Sequence, residues 1–172
     1  MDTEDQQPPM PDLEKIKAWI PGFKGYEAKD QRENSERVLR RFLAGKLGTL
    51  HRQLEEIIKR VAEEKRLDLL SDYDDLLRGI KNFLERLAEG GQDYDGFFNL
   101  IEIPDNDLNE IYTFEIELLG KMTVFSEKIE ALRPDPFHLN ETRNLENKLE
   151  EIEKVFSERD LEIKEFQPED QT

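Results

Sequence analysis

The sequence predicts an all-α fold, an up-and-down bundle of about four helices with a short N-terminal helix packed on it. Three observations lead there. Apolar residues recur at Leu39, Leu43, Leu47, Leu50, Leu54, Ile57 and Val61, and steps of three and four keep such a stripe on one side of a helix. No proline interrupts the stretch from Tyr26 to Arg66. Later segments repeat the same rhythm at shorter length, as partners that cover the stripe would. Val38, Phe42 and Ile58 widen it, so the rhythm is coiled-coil-like but the width suits a bundle core rather than a two-stranded seam.

Composition is compatible with that reading. The chain has 172 residues, enough for one domain with its own core. Charged residues make up 38% and mean hydropathy is -0.80, values that raise the question of disorder. The periodicity of the apolar residues argues against it for the middle of the chain. There is no cysteine, which removes disulfides, thiolate metal sites and a cysteine nucleophile. No apolar run approaches the roughly 20 residues a membrane span needs, and the polar, acidic start from Met1 to Gln7 is unlike a secretory signal. The expected setting is cytoplasmic.

Net charge is -16, which disfavours nucleic-acid binding, since that depends on neutralising phosphates with Lys and Arg. The distribution is uneven. Residues 24–66 hold twelve Lys/Arg against eight Asp/Glu, whereas residues 67–172 hold eleven against twenty-eight. A basic long helix therefore lies among acidic segments, and pairing between them inside the fold is the expected use of that charge.

Taken in order, residues 1–10 read as a disordered acidic tail and residues 11–160 as a single helical-bundle domain. A short helix is expected from Asp12 to Ile20, with Leu13, Ile16, Trp19 and Ile20 on one side and Pro21-Gly22 ending it. Phe23-Lys24-Gly25-Tyr26 makes a turn, and Trp19, Phe23 and Tyr26 form a hydrophobic latch onto the bundle. In the long helix, Gly45 and Gly48 each cost roughly 1 kcal/mol against alanine. A close helix crossing is the expected reason, with a kink as the other. Ser71 suits the N-cap of a second helix over about 72–89, with Asp72, Asp74 and Asp75 in its first turn and Gly90-Gly91 stopping it.

Residues 92–106 carry Tyr94, Phe97, Phe98, Leu100, Ile101 and Ile103, too apolar to hang in water. A short helical turn and an extended piece packed over one end of the bundle are expected there. Asp107 with Glu110 reads as a capping box opening a third helix. Its Tyr112, Phe114, Ile116 and Val124 extend the apolar surface beyond one stripe, which predicts contacts on two sides or with another subunit. Asp135-Pro136 reads as the N-cap and first position of a fourth helix, carrying Thr142, Leu145, Leu149, Ile152 and Phe156. Residues 161–172 are a C-terminal tail in which Leu161 to Phe166 alternate as a short extended segment would.

Motifs for chemistry are missing. A di-iron carboxylate site needs Glu-x-x-His on two helices, yet the residues three before His51 and His138 are Gly48 and Asp135. The run from Asp105 opens like a calcium loop but has Glu110 where glycine belongs and Ile116 where glutamate belongs. Asp93-Tyr94-Asp95-Gly96 is shorter still. Phosphate-binding glycine loops and nucleophile elbows are also lacking. The expectation is no cofactor, no bound metal and no enzymatic activity, short of a cryptic carboxylate-metal site.

What remains is binding. Arg32, Arg37, Arg40 and Arg41 concentrate at the start of the long helix beside Trp19, Phe23 and Tyr26, and arginine forks suit carboxylates and phosphates. The sequence-level expectation is a cytoplasmic adaptor or regulator with a protein partner and these seven residues as its candidate contacts. Homo-oligomerisation through the third helix is a further possibility the pattern allows. The alternatives are a module for an anionic ligand or membrane surface, through the same arginines, and an acidic inhibitor of a basic partner.

Overall fold

The long stripe forms the helix it predicts. A computed structural model describes residues 11–90, 94, 96–133 and 140–166. Five α-helices occur among them: α1 (Pro11–Trp19), α2 (Lys29–Glu63), α3 (Leu67–Gly90), α4 (Asp105–Glu130) and α5 (Glu141–Lys164). Leu39, Leu43, Leu47, Leu50, Leu54, Ile57 and Val61 are all buried along α2. Helix α2 packs on α3 and α4, and α5 packs on the same two, so α3 and α4 occupy opposite corners. Helix α1 lies against α4. Chain direction alternates from α2 to α5. Arg40 near the start of α2 abuts Gly90 at the end of α3, and Glu115 early in α4 meets Arg159 late in α5. The architecture is an all-α bundle with a short N-terminal helix packed on it.

The turn between α2 and α3 is tighter than the sequence suggested. Lys65 has φ +57°, its N–H reaches the Ala62 carbonyl, and the Arg66 N–H reaches the Val61 carbonyl. This pair of bonds is a Schellman closure with lysine in the left-handed position normally given to glycine. The chain reverses at once, α3 starts at Leu67, and Ser71 sits exposed inside the helix rather than capping it. Burial of Leu69 favours the earlier start.

Helix α4 also starts early. Pro104, with extended backbone, occupies the N-cap without a side-chain hydrogen bond, and Asp105 and Asp107 fall in the first turn. The Asp107–Glu110 capping box is therefore displaced into the helix. Residues 161–164, expected as tail, continue α5, because Phe156, Arg159 and Ile163 keep its inward register. The proposed Asp135-Pro136 cap, His138, Asp93 and Asp95 lie outside the described residues, as do residues 1–10 and 167–172.

Tyr94, Phe98, Ile101 and Ile103 are buried. A 3-10 turn at Phe97–Asn99 packs on α2 and covers the end of the bundle where α2 and α4 begin. Helix α4 uses its broad apolar surface inside the fold, between α1, α2 and α5. Tyr112 is fully buried and Phe114 and Ile116 are partly so, leaving Val124 exposed. The close crossing expected at Gly45 and Gly48 is absent. A Cβ built on either glycine meets nothing within 4 Å among the described residues, because both lie on the side of α2 turned away from its neighbours.

Candidate functional site

The seven candidate contacts divide between the interior and the surface. Tyr26 is sealed at 0% exposure, with Phe23 buried beside it. The Tyr26 ring stacks at 5.9 Å on Phe98 and at 5.9 Å on Tyr112, with Phe23 edge-on at 5.6 Å. Gly25 permits this seating, for at φ +89° an added Cβ would come 2.6 Å from the Tyr112 hydroxyl. That hydroxyl instead accepts from the Tyr26 N–H at 2.8 Å, and Ser35 donates to the Gly25 carbonyl at 2.8 Å.

Arg32 and Arg40 point inward, contrary to a contact role. Arg32 donates to the carbonyls of Tyr26 at 2.6 Å, Ile101 at 2.9 Å and Phe98 at 3.3 Å. These carbonyls belong to a turn and a crossing segment without a helical ladder, and a buried carbonyl needs a donor from somewhere. Arg40 pairs with Glu36 and, at 3.1 Å, with Asp160. Its guanidinium lies 4.9 Å from the Phe156 ring centre and 5.4 Å from that of Tyr94. Gly90 makes room for it, since a Cβ there would fall 2.6 Å from an Arg40 nitrogen.

Beside Arg40 lies an ionic network that sequence reasoning missed. Arg159 is fully buried. It pairs with Glu36, donates to Glu115 at 2.9 Å and 3.2 Å, and donates to the Tyr26 hydroxyl at 2.7 Å and to Asp160 at 3.0 Å. Tyr26 in turn donates to Glu115 Oε1 at 2.5 Å. Burial raises the Glu36 carboxyl, but Arg159 and Arg40 outweigh it and hold the group below the usual carboxylate range. Burial dominates at Glu115 and pushes it up to about 7, against the pull of Arg159 and Tyr26. Tyr26 is pushed well up by burial. Such shifts mark functional sites in many proteins. Here the shifted groups are closed to solvent, with Glu36 at 2% exposure and Glu115 at 0%, so no substrate atom reaches them. The network ties α2, α4, α5 and the Tyr26 turn together.

The signal for it was present. Glu36 continues the α2 stripe backward from Leu39 at spacings of three and four. Glu115 stands in register between Ile111 and Leu118, and Arg159 between Phe156 and Ile163. Opposite charges standing in apolar registers on different helices predict a buried pair.

Asp107, Glu110 and Glu162 bring carboxylate oxygens within 4.8 Å of one another. Burial and the Glu110 carboxylate raise Glu162. No histidine or fourth carboxylate joins them among the described residues.

The surface candidates are Trp19, Arg37 and Arg41. Trp19 is 40% exposed and lines a groove of about 230 Å³ with Phe42, Lys46, Leu119 and Met122. Arg37 has only a long contact of 3.8 Å to Glu33. Arg41 is exposed and has no carboxylate at pairing distance among the described residues. The same holds for Arg52, whose guanidinium donates to Thr49. From Arg37 to Leu54 the sequence contains no Asp or Glu.

No protein-family model matches the chain, and neither a curated protein nor a solved structure matches it. No described helix is long and apolar enough to cross a membrane.

Proposed function

We propose that the chain is a non-enzymatic interaction protein, an adaptor or regulator, whose working surface is the outer face of α2 with Trp19 at its edge. The setting we take for it is cytoplasmic. One observation carries the reading. On a chain of net charge -16, the exposed side of α2 from Arg37 to Leu54 has cations and no carboxylate, and Arg41 and Arg52 have no ionic partner among the described residues. Solvated arginines without partners contribute little to stability. Their use lies in steering and orienting something that binds. The interior network argues in the same direction, because its charges are spent on each other and on the fold.

Photo-crosslinking tests the proposal. A benzoylphenylalanine is placed at Arg41 or Arg52 on α2, or at Arg78 on α3 or Lys154 on α5 as controls, and irradiated in lysate of the native organism. A discrete protein adduct confined to the α2 positions, and lost when the neighbouring arginine is reversed to Glu, is the expected outcome. Adducts shared by every position, or lipid recovered in place of protein, would remove the reading.

A further inference from the structure

We infer that the outer face of α2 docks an acidic amphipathic helix of a protein partner, which crosses α2 over Gly45 and Gly48 and sets one large apolar side chain in the groove beside Trp19. The inference rests on the proposal that this face is the working surface, and it names the occupant.

Charge complementarity carries the choice. Arg41 and Arg52 have no carboxylate at pairing distance among the described residues, and Arg37 is 58% exposed in its side chain with one contact at 3.8 Å. Lys46 rests 5.6 Å from the Phe42 ring centre, with no carboxylate at pairing distance among the described residues. A helix with Glu or Asp on its flanks supplies the missing partners, and arginine receives carboxylates as a fork.

Shape selects a helix. Residues 41, 45, 48 and 52 stand at spacings of four, three and four, which puts them in one line on the face opposite the core. The middle two are glycines without positive φ, and a Cβ on either would meet nothing within 4 Å among the described residues. Among the described residues neither a turn nor a neighbour explains them. Glycine on a helix surface lets a second backbone come close, and packed helices approach to about 8–10 Å. Val38 and Phe42 lie half-buried alongside, and the groove lined by Trp19, Phe42, Leu119 and Met122, at about 230 Å³, has the scale of one or two large side chains. An anchored amphipathic helix is a recurring way to fill such a groove.

Other occupants fit less well. A two-fold contact between copies of this chain across the glycines would set Arg41 and Arg52 against the same two arginines of the second copy. A phosphate polymer or a lipid surface is broad, and would meet Glu55 and Glu56 on α2 and Glu127 and Glu130 at the groove, whereas a helix can turn its apolar side toward Glu127 and Glu130 and keep its carboxylates over Arg41 and Arg52. A broad surface would also need neither glycine.

The test uses two stapled helical peptides of about four turns, with alanine at the crossing positions and one leucine anchor. One carries Glu on both flanks and the other Lys. Fluorescence anisotropy against the full chain should find the Glu peptide bound at least about tenfold more tightly. Gly45→Leu should weaken it about tenfold or more with the circular dichroism unchanged, and Arg41→Glu with Arg52→Glu should reverse the preference. Equal binding of the two peptides, no binding by either, or indifference to Gly45→Leu would overturn the inference. Binding to phosphatidylserine vesicles that depends on the arginines but not on Gly45 would assign the face to a membrane and overturn it. A dimer seen by light scattering and lost in Gly45→Leu would assign it to a second copy. A protein crosslinked only at α2, without discrimination between the peptides, would leave the interaction function standing while removing this occupant.

Discussion

Glu115 and Arg159 meet at 2.9 Å in the closed interior of the bundle, one early in α4 and the other near the end of α5. The contact is lopsided. Oε1 of Glu115 accepts from Arg159 and from Tyr26, whereas Oε2 is buried with no hydrogen-bond partner among the described residues. A carboxylate served on one oxygen only is poorly compensated for leaving water, and this is why its proton is held so firmly.

The pH dependence of stability follows from that proton. Glu115 titrates at about 7 in the folded chain and near 4.3 when unfolded, so between those values the folded state binds the extra proton. Stability falls as pH rises through this window, by about 4 kcal/mol. Glu36 has the opposite sign, and its stabilisation, complete above the unfolded value, is lost only as pH falls through a depressed one. Melting temperature should therefore drop from pH 5 to pH 8, and Glu115→Gln should flatten that slope. An unchanged slope in the variant would show that the dependence arises elsewhere, for instance at Glu146, Glu153 or Glu162, which burial also raises.

Arg159→Ala should cost about 3–5 kcal/mol, because it leaves two buried carboxylates facing each other without their shared cation. Urea unfolding with an unchanged slope against denaturant reads that loss directly. A shift below about 1 kcal/mol would mean that water reaches the network when the guanidinium is gone.

Lys65→Gly should stabilise the chain by about 1 kcal/mol. The lysine holds φ +57° in a Schellman closure, where an L side chain is strained and glycine is not. The gain should appear as a rise in melting temperature without a change in helix content. A loss instead would mean that the greater freedom of glycine in the unfolded chain outweighs the relief of strain.

How legible this was in the sequence varies with the kind of interaction. The stripe from Leu39 to Val61 is local periodicity, and the structure follows it residue by residue. Helix ends were less legible. The α2–α3 turn depends on a lysine adopting a backbone angle that composition does not advertise, and Pro104 took the cap that Asp107 suggested. The site was divided in the same way. Arg32, Arg37, Arg40 and Arg41 look alike as a run of cations, yet 32 and 40 share the register of Leu39 and Leu43 and turn inward, whereas 37 and 41 turn out. The partners that hold Arg32 and Arg40 come from as far as Ile101 and Asp160, distances along the chain over which spacing carries no information.

Gly45→Ala and Gly48→Ala test the proposed face from the side of stability. Each glycine lies inside α2 with helical backbone, so alanine gains helix propensity of about 0.8–1.0 kcal/mol at each position. Nothing within 4 Å among the described residues opposes the new methyl, so no packing penalty offsets the gain. Both variants should melt higher than the parent, and together their effects should be close to additive unless their methyls interact. A cost in stability would mean that the glycines serve the fold after all, through a bend in α2. Higher stability with weaker binding of the acidic peptide would show a chain carrying two destabilising residues for the sake of its surface, the exchange expected where function rather than folding sets the residue.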